Sequence, residues 1–426
     1  MKKFFSLVLV LFVVLCSAFA AGCKKEKKDV KVGLICLHDE SSTYDKNFID
    51  SMYRALEELG LPKTSLELVT GIGEDSACYD KACELAATCD IVFADSFGHE
   101  PYLLNAAKEN KDTVFCHATG TQAHTAGVEN YYNAFASIYE GRYLAGIAAG
   151  MKLNEMIAAQ QFTAEEAKVG YVGAFPYAEV VSGYTSFFLG VRSVCPTATM
   201  EVVYTSSWYD YDKEYAAANR LIAGGCKLIS QHADSYGAPT ACEEKNVPNV
   251  TYNGSTVAKC PKTYVVSSKI DWTPYYVKMI KAVQEGKKVS ESDFVGTLAT
   301  GSVKLDAVGT CAAEGTQAAI DAAAAKLNAG TLHVFDCNTF TVGGQKLTSY
   351  KADVDDDGTF TGETEVIKNG YFSESEYRSA PYFDLRIDGI TELQSNDLLN
   401  KLLGRGLIPL ALIALKKGGR LRWIKK

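Results

Sequence analysis

Apolar runs of strand length alternate with amphipathic runs of helix length, and the alternation occurs twice along the chain. In the first round strands are expected at Val30–Leu37, Leu66–Thr70, Asp90–Ala94 and Thr113–His117, with helices at Asn47–Gly60, Ser76–Thr88, Glu100–Asn110 and Ser137–Leu153. In the second, strands at Lys168–Val172, Met200–Thr205 and Leu228–His232 alternate with helices at Val180–Cys195, Lys213–Gly224 and Ala238–Lys245. A strand that reaches a parallel neighbour needs a crossover of helix length, so this rhythm predicts a mostly parallel, doubly wound sheet. Two rounds broken near Asn154–Ala164 predict two α/β lobes. Residues 30–153 with about 270–300 are assigned to lobe 1, and residues 154–269 with about 301–393 to lobe 2. Ligands of such sheets bind outside the carboxyl ends of the strands, so two lobes facing each other make a ligand cleft.

The ends of the chain are of a different kind. Lys2 and Lys3 precede an apolar run from Phe4 to Leu15, and Ala18, Ala20, Ala21 and Gly22 follow, which predicts a secretory signal over 1–22. Ala20-Ala21-Gly22-Cys23 resembles a bacterial lipobox, whose Cys takes a diacylglycerol; residues 23–29 then serve as a polar tether. Each acyl methylene contributes about 0.8 kcal/mol, so two or more chains hold a protein stably at a membrane. The body is therefore expected outside the cytoplasm, lipid-anchored through Cys23 at the cell surface or in the periplasm. Residues 394–426 form a basic tail, with eight bases and no acid from 398 onward. That tail either lies on anionic lipid or has no role. With both ends set aside, the whole-chain charge of −8 becomes −18 over residues 23–397, which argues against a nucleic-acid partner. Eleven Cys remain beyond Cys23, and several, such as Cys36 and Cys116, sit inside apolar runs. Most are read as buried free thiols.

The residues after each strand are the candidate cleft lining. In the first lobe these are His38 to Glu40 leading into Tyr44-Asp45-Lys46-Asn47-Phe48, then Asp95-Ser96-Phe97, then Thr119. In the second they are Phe175-Pro176-Tyr177, Trp208-Tyr209-Asp210 and Ala233-Asp234-Ser235, followed by Tyr252-Asn253 and Ser267-Ser268-Lys269. Aromatics mixed with carboxylates and amides suit a flat, hydroxylated ligand, because rings stack on a base and carboxylates accept from sugar hydroxyls.

A resemblance sharpens this. After the lipobox come Val32-Gly33-Leu34-Ile35, Asp45-Lys46-Asn47-Phe48, Glu140-Gly141-Arg142-Tyr143-Leu144-Ala145-Gly146, Val169-Gly170-Tyr171-Val172-Gly173 and Val266-Ser267-Ser268-Lys269, in that order. Over roughly residues 1–345 the chain resembles the basic membrane protein family of ABC-transporter substrate-binding lipoproteins, whose characterised members include purine nucleoside receptors. The resemblance implies a type 1 periplasmic-binding fold and a monomer that serves an ABC permease in the same membrane. It implies that Phe48 stacks on the base from the first lobe, that Asp45 opens the motif, and that Lys269 contacts the ribose. Trp208 is favoured over Phe175 as the second-lobe ring. Asn47 precedes Phe48 and Ile49 follows it, Thr119 stands where the family often has Asp, and Asn253 stands where it has a sugar-binding Asp. The expected ligand is a nucleoside, with a purine favoured; the alternative is a sugar or another small polar metabolite.

No nucleophile elbow, zinc-protease helix or phosphate loop occurs, so an enzyme acting on nucleosides is the less favoured class and no cofactor is expected. Asp353-Val354-Asp355-Asp356-Asp357-Gly358 resembles the start of an EF-hand loop and makes Asp353, Asp355 and Asp357 a weak calcium candidate.

Overall fold

The computed structural model describes residues 29–355, 359 and 361–393, together with the backbone of 415–417 and 420–422. The signal segment, Cys23 with its tether through 28, Asp357 and the rest of the tail from 394 lie outside the described residues.

The chain opens with strand β1 (Val32–Ile35), buried throughout, followed by helix α1 (Thr43–Leu59). The helix begins earlier than expected because Ser42 caps it: its Oγ accepts from the Asp45 N–H at 3.2 Å. It stops at Gly60, whose φ of 71° is open to a residue without Cβ. Strand β2 (Leu66–Val69), helix α2 (Ser76–Ala86), β3 (Ile91–Ala94), α3 (Glu100–Glu109) and β4 (Val114–Ala118) continue the alternation. A strand the sequence reading passed over, β5 (Tyr131–Ala136), pairs parallel with β4 and is buried on both faces, so it shows no alternation of polarity.

Helix α4 (Ile138–Ala158) then carries the chain across to a second unit. Its Leu144, Ala148 and Leu153 share a core with Val169, Val202 and Phe187, so the crossing lies at Ser137 and not after 153. The contact between α4 and helix α5 (Ala178–Val194) is backbone-close: a Cβ on Gly146 would stand 2.1 Å from the Phe187 carbonyl, and one on Gly190 2.1 Å from that of Tyr143. The rest of this unit is β6 (Lys168–Gly173), β7 (Thr199–Tyr204), α6 (Tyr211–Ala223), β8 (Leu228–His232), α7 (Gly237–Lys245), β9 (Asn249–Tyr252) and β10 (Tyr264–Ile270). Helix α8 (Thr273–Gln284) returns to the first unit, where it packs on α1, and β11 (Asp293–Gly296) becomes that sheet's edge. Strand β12 (Val303–Leu305), helix α9 (Thr316–Asn328) and β13 (Ile390–Glu392) belong to the second.

The first sheet thus has the order β11-β5-β4-β3-β1-β2 and the second β12-β10-β9-β8-β6-β7-β13, parallel apart from β12. Two doubly wound parallel sheets joined by three crossings give the expected α/β architecture. All eleven Cys in the described region are free thiols and nine are buried.

Candidate ligand-binding site

The carboxyl ends of the two sheets face each other around a small cavity. The first lobe contributes Leu37 and His38 after β1, Tyr44 and Asp45 from the start of α1, Ser96 and Phe97 after β3, and Thr119 after β4. Trp208, His232, Asp234 and Tyr252 come from the strand ends of the second lobe, and Glu179 from the first turn of α5. Thr119 is held at φ 69°, an unusual setting for a β-branched residue, and its Oγ1 is buried without a protein partner. The Tyr252 hydroxyl and His232 Nδ1 are likewise buried and unpartnered. Buried polar atoms without partners are costly, and their concentration around one cavity marks it as built for a polar ligand.

The lobes touch around this cavity. The Thr43 N–H donates to the Asp234 carbonyl at 3.1 Å, and Asn47 Nδ2 donates to Asn253 Oδ1 at 3.3 Å. The rings of His38 and Tyr209 lie 5.3 Å apart, and those of Phe97 and Tyr177 5.4 Å.

Three carboxyl groups at the base differ in state. Burial works against an ionised Asp45, yet the His38 side chain, Ser42 and the His38 N–H, which donates at 2.7 Å, hold it below its usual range. Asp95 lies behind it, fully buried. Burial and then the Asp45 charge push Asp95 well above the carboxylate range; one oxygen accepts from the Leu37 N–H at 3.1 Å and the other has no protein partner. Asp234 is also pushed well up, by burial first and then by Asp45. The cavity therefore holds an acid kept below the usual carboxylate range beside one whose ionisation burial opposes, and among the described residues that line it there is no Lys or Arg. Such a site disfavours an anion and suits a neutral ligand with hydroxyl donors.

Of the residues expected from sequence, Asp45, Thr119, Trp208 and Asp234 line the cavity. Asp95 supports it from behind, and Asn47 and Asn253 join the lobes beside it. Phe48 does not face it. This ring is 2% exposed and stacks on Trp272 at 4.3 Å in the first lobe's core, because it sits one helical turn past Tyr44, on the face of α1 that α8 covers. Phe175 stands behind Trp208, edge-on at 5.1 Å. Lys269 is paired with Asp306 and is not among the lining residues. Glu179 and His232 were missed; His232 Nε2 lies 3.3 Å from Glu179 Oε1, and burial pushes the imidazole pKa down. The available signal was position, an acid in the first turn after a strand-end loop and the last residue of a strand.

Asp353 and Asp355 come together with Glu363 rather than with a residue of the expected spacing, their ligand atoms all within 4.8 Å of one another.

A family model described as ABC transporter substrate-binding protein PnrA-like, Bmp, matches residues 32–330. The chain is 36% identical over 217 residues to a putative ABC transporter glucose-binding protein of Haloferax volcanii, covering 51% of each chain. It is 34% identical over 215 residues to a purine-binding protein of Brucella abortus, covering 50% of this chain and 57% of that one. The chain thus spans about half the length of these relatives. Among solved structures, an ABC transporter solute-binding protein from Aeropyrum pernix is similar with a TM-score of 0.61 at 15% identity, covering 72% of this chain and 93% of that one. One from Conexibacter woesei has a TM-score of 0.58 at 21% identity, covering 71% and 98%. Both likenesses bear on the fold, which is that of periplasmic solute-binding proteins.

Proposed function

Because the chain belongs to the Bmp family of PnrA-like ABC transporter substrate-binding proteins, we propose that it captures a nucleoside, a purine nucleoside foremost, between its lobes and presents it to an ABC permease. In this reading the protein works as a monomer outside the cytoplasm, held to the membrane by lipid on Cys23. The observation that carries it is the composition of the cavity: Tyr44, Phe97, Trp208 and Tyr252 supply ring faces, Asp45 an ionised acceptor, and no cation is present among the described lining residues. A base stacks on the rings, contributing about 1–3 kcal/mol per contact, while ribose hydroxyls donate to the acids. Contacts made by one ligand to both lobes supply the free energy that favours the closed form. The purine-binding relative supports the same choice.

A sugar is the second reading. The glucose-binding name of the Haloferax relative favours it, as does the presence of Asp234 and Glu179 in the cavity beside Asp45. Calorimetry with a panel of nucleosides, free bases and monosaccharides separates the two. Heat from purine nucleosides, with the nucleoside recovered intact afterward, supports the first reading. Heat from monosaccharides alone overturns it, and consumption of the nucleoside would make the protein an enzyme.

A further inference from the structure

Part of the cleft mouth is built by chain that the family model does not match. Residues 331–393 follow the matched region and pack into the second lobe's core through Phe335, Phe340, Phe372 and Phe383. From there the segment reaches over to the first lobe. The Val354 carbonyl accepts from His124 Nε2 at 2.9 Å and the Asp355 carbonyl from Thr125 Oγ1 at 3.1 Å. The Ser379 N–H and Oγ donate to Asp293 Oδ1 at 2.7 and 2.8 Å.

Under this bridge lies a second, partly open compartment of about 440 Å³. It shares Phe97, Thr119 and Glu179 with the inner cavity, so the two adjoin. Phe97 and Tyr177 meet at the junction, one from each lobe, and both remain open at 36% and 43% exposure. They are two of the four large hydrophobic side chains exposed among the described residues, and a pair of rings in contact and left open beside a cavity is an apolar platform available to a ligand. Facing them, the terminal segment presents Tyr350, Asp384 and Arg378. These are held in place: the Tyr350 hydroxyl donates to Asp384 Oδ1 at 2.7 Å, and the Arg378 guanidinium donates to the Ala380 and Pro381 carbonyls at 3.3 Å. Ring faces beside a fixed carboxylate and guanidinium match a hydroxylated ring, whose C–H face stacks while its hydroxyls bond the charged groups.

We propose that this compartment is an outer subsite for a second hydroxylated ring, a sugar unit covalently joined to the ligand held in the inner cavity. The inference rests on reading the cleft as the ligand site, and it holds whether the inner unit is a nucleoside or a sugar. The receptor then prefers a glycosylated ligand to its single-unit parent. The terminal segment sets that preference, because it supplies Tyr350, Asp384 and Arg378 to the subsite.

Calorimetry on the full chain with matched pairs tests this: adenosine against ribosyl-adenosine, and glucose against its disaccharides. The longer member of at least one pair is expected to bind about tenfold tighter. In Tyr350→Ala, and separately in Asp384→Asn, that gain should vanish while the parent's affinity stays unchanged. Longer members binding no tighter than their parents overturn the subsite, as does a gain that survives both substitutions. Adenosine binding with no gain for ribosyl-adenosine or any disaccharide overturns the subsite and leaves the nucleoside reading standing. A disaccharide gain without adenosine binding does the reverse.

Discussion

Asn47 in the first lobe donates its Nδ2 to the Oδ1 of Asn253 in the second, 3.3 Å away across the cleft. Asn253 reaches that position from φ 61°, a left-handed setting that Asn tolerates, and its own Nδ2 is buried without a protein partner. The pair forms only when the lobes are together. Replacing Asn47 by Ala removes a neutral hydrogen bond worth about 1 kcal/mol, so ligand affinity should fall about fivefold. Calorimetry measures the loss, and the melting temperature without ligand should hardly move.

Trp208 and Phe48 should separate binding from stability. Trp208 lines the cavity, so Trp208→Ala is expected to weaken ligand binding by tenfold or more at little cost in folding. Phe48→Ala opens a hole beneath Trp272 and is expected to cost about 3–5 kcal/mol of stability. Binding titrations paired with thermal melts distinguish them, and equal binding losses with equal melts would contradict the placement of both rings.

The carboxyls give a second contrast. Burial pushes Asp234 well above the carboxylate range, so Asp234→Asn removes less negative charge than the same change at Asp45 and should change affinity less than threefold. Asp45 is held ionised by His38 and Ser42, and Asp45→Asn should weaken binding at least tenfold. Titration of both variants with the wild-type ligand reads the difference directly.

Stability should fall as pH rises from mildly acid to neutral. Burial pushes Glu374 up to about 7 and Glu214 likewise to about 7. A carboxyl that is harder to ionise in the folded state binds more protons folded than unfolded. Its contribution is therefore complete below the unfolded pKa near 4.5 and is lost as pH climbs toward about 7. Melting temperature should drop by several degrees between pH 5 and pH 7.5, and Glu374→Gln should flatten that slope. A flat wild-type profile contradicts it.

Gly190→Ala should destabilise the second lobe strongly, since the added Cβ meets backbone, the Tyr143 carbonyl, at 2.1 Å. Thermal melts report the loss, and a stable variant would mean the helices can separate freely.

The architecture was legible because its signals are local. Period and punctuation placed α1, α2, α3 and the strands between them, and the strand-end rule located Asp45, Thr119, Trp208 and Asp234. What failed was orientation. Phe48 and Tyr44 are four residues apart on one helix, and only the packing of α8, more than 200 residues away, decides which ring is buried. Strand β5 and helix α4 were misassigned for the same reason, since a run buried on all sides carries no polarity to show which sheet claims it. Glu179 and His232 were missed because their pairing joins a helix start to a strand end more than 50 residues apart in the second lobe.

The edge strand β11 has a consequence for how the molecule is made. It completes the first sheet beside β5, yet 156 residues, 137–292, are synthesised between the two strands. A chain emerging amino-terminus first therefore holds the open edge of Tyr131–Ala136 through the making of the second lobe from α4 to β10. Neither lobe is a continuous stretch that could be cut out and folded separately. The two must be finished together, and a chain that stops before residue 296 leaves the first sheet one strand short with a pairing edge exposed.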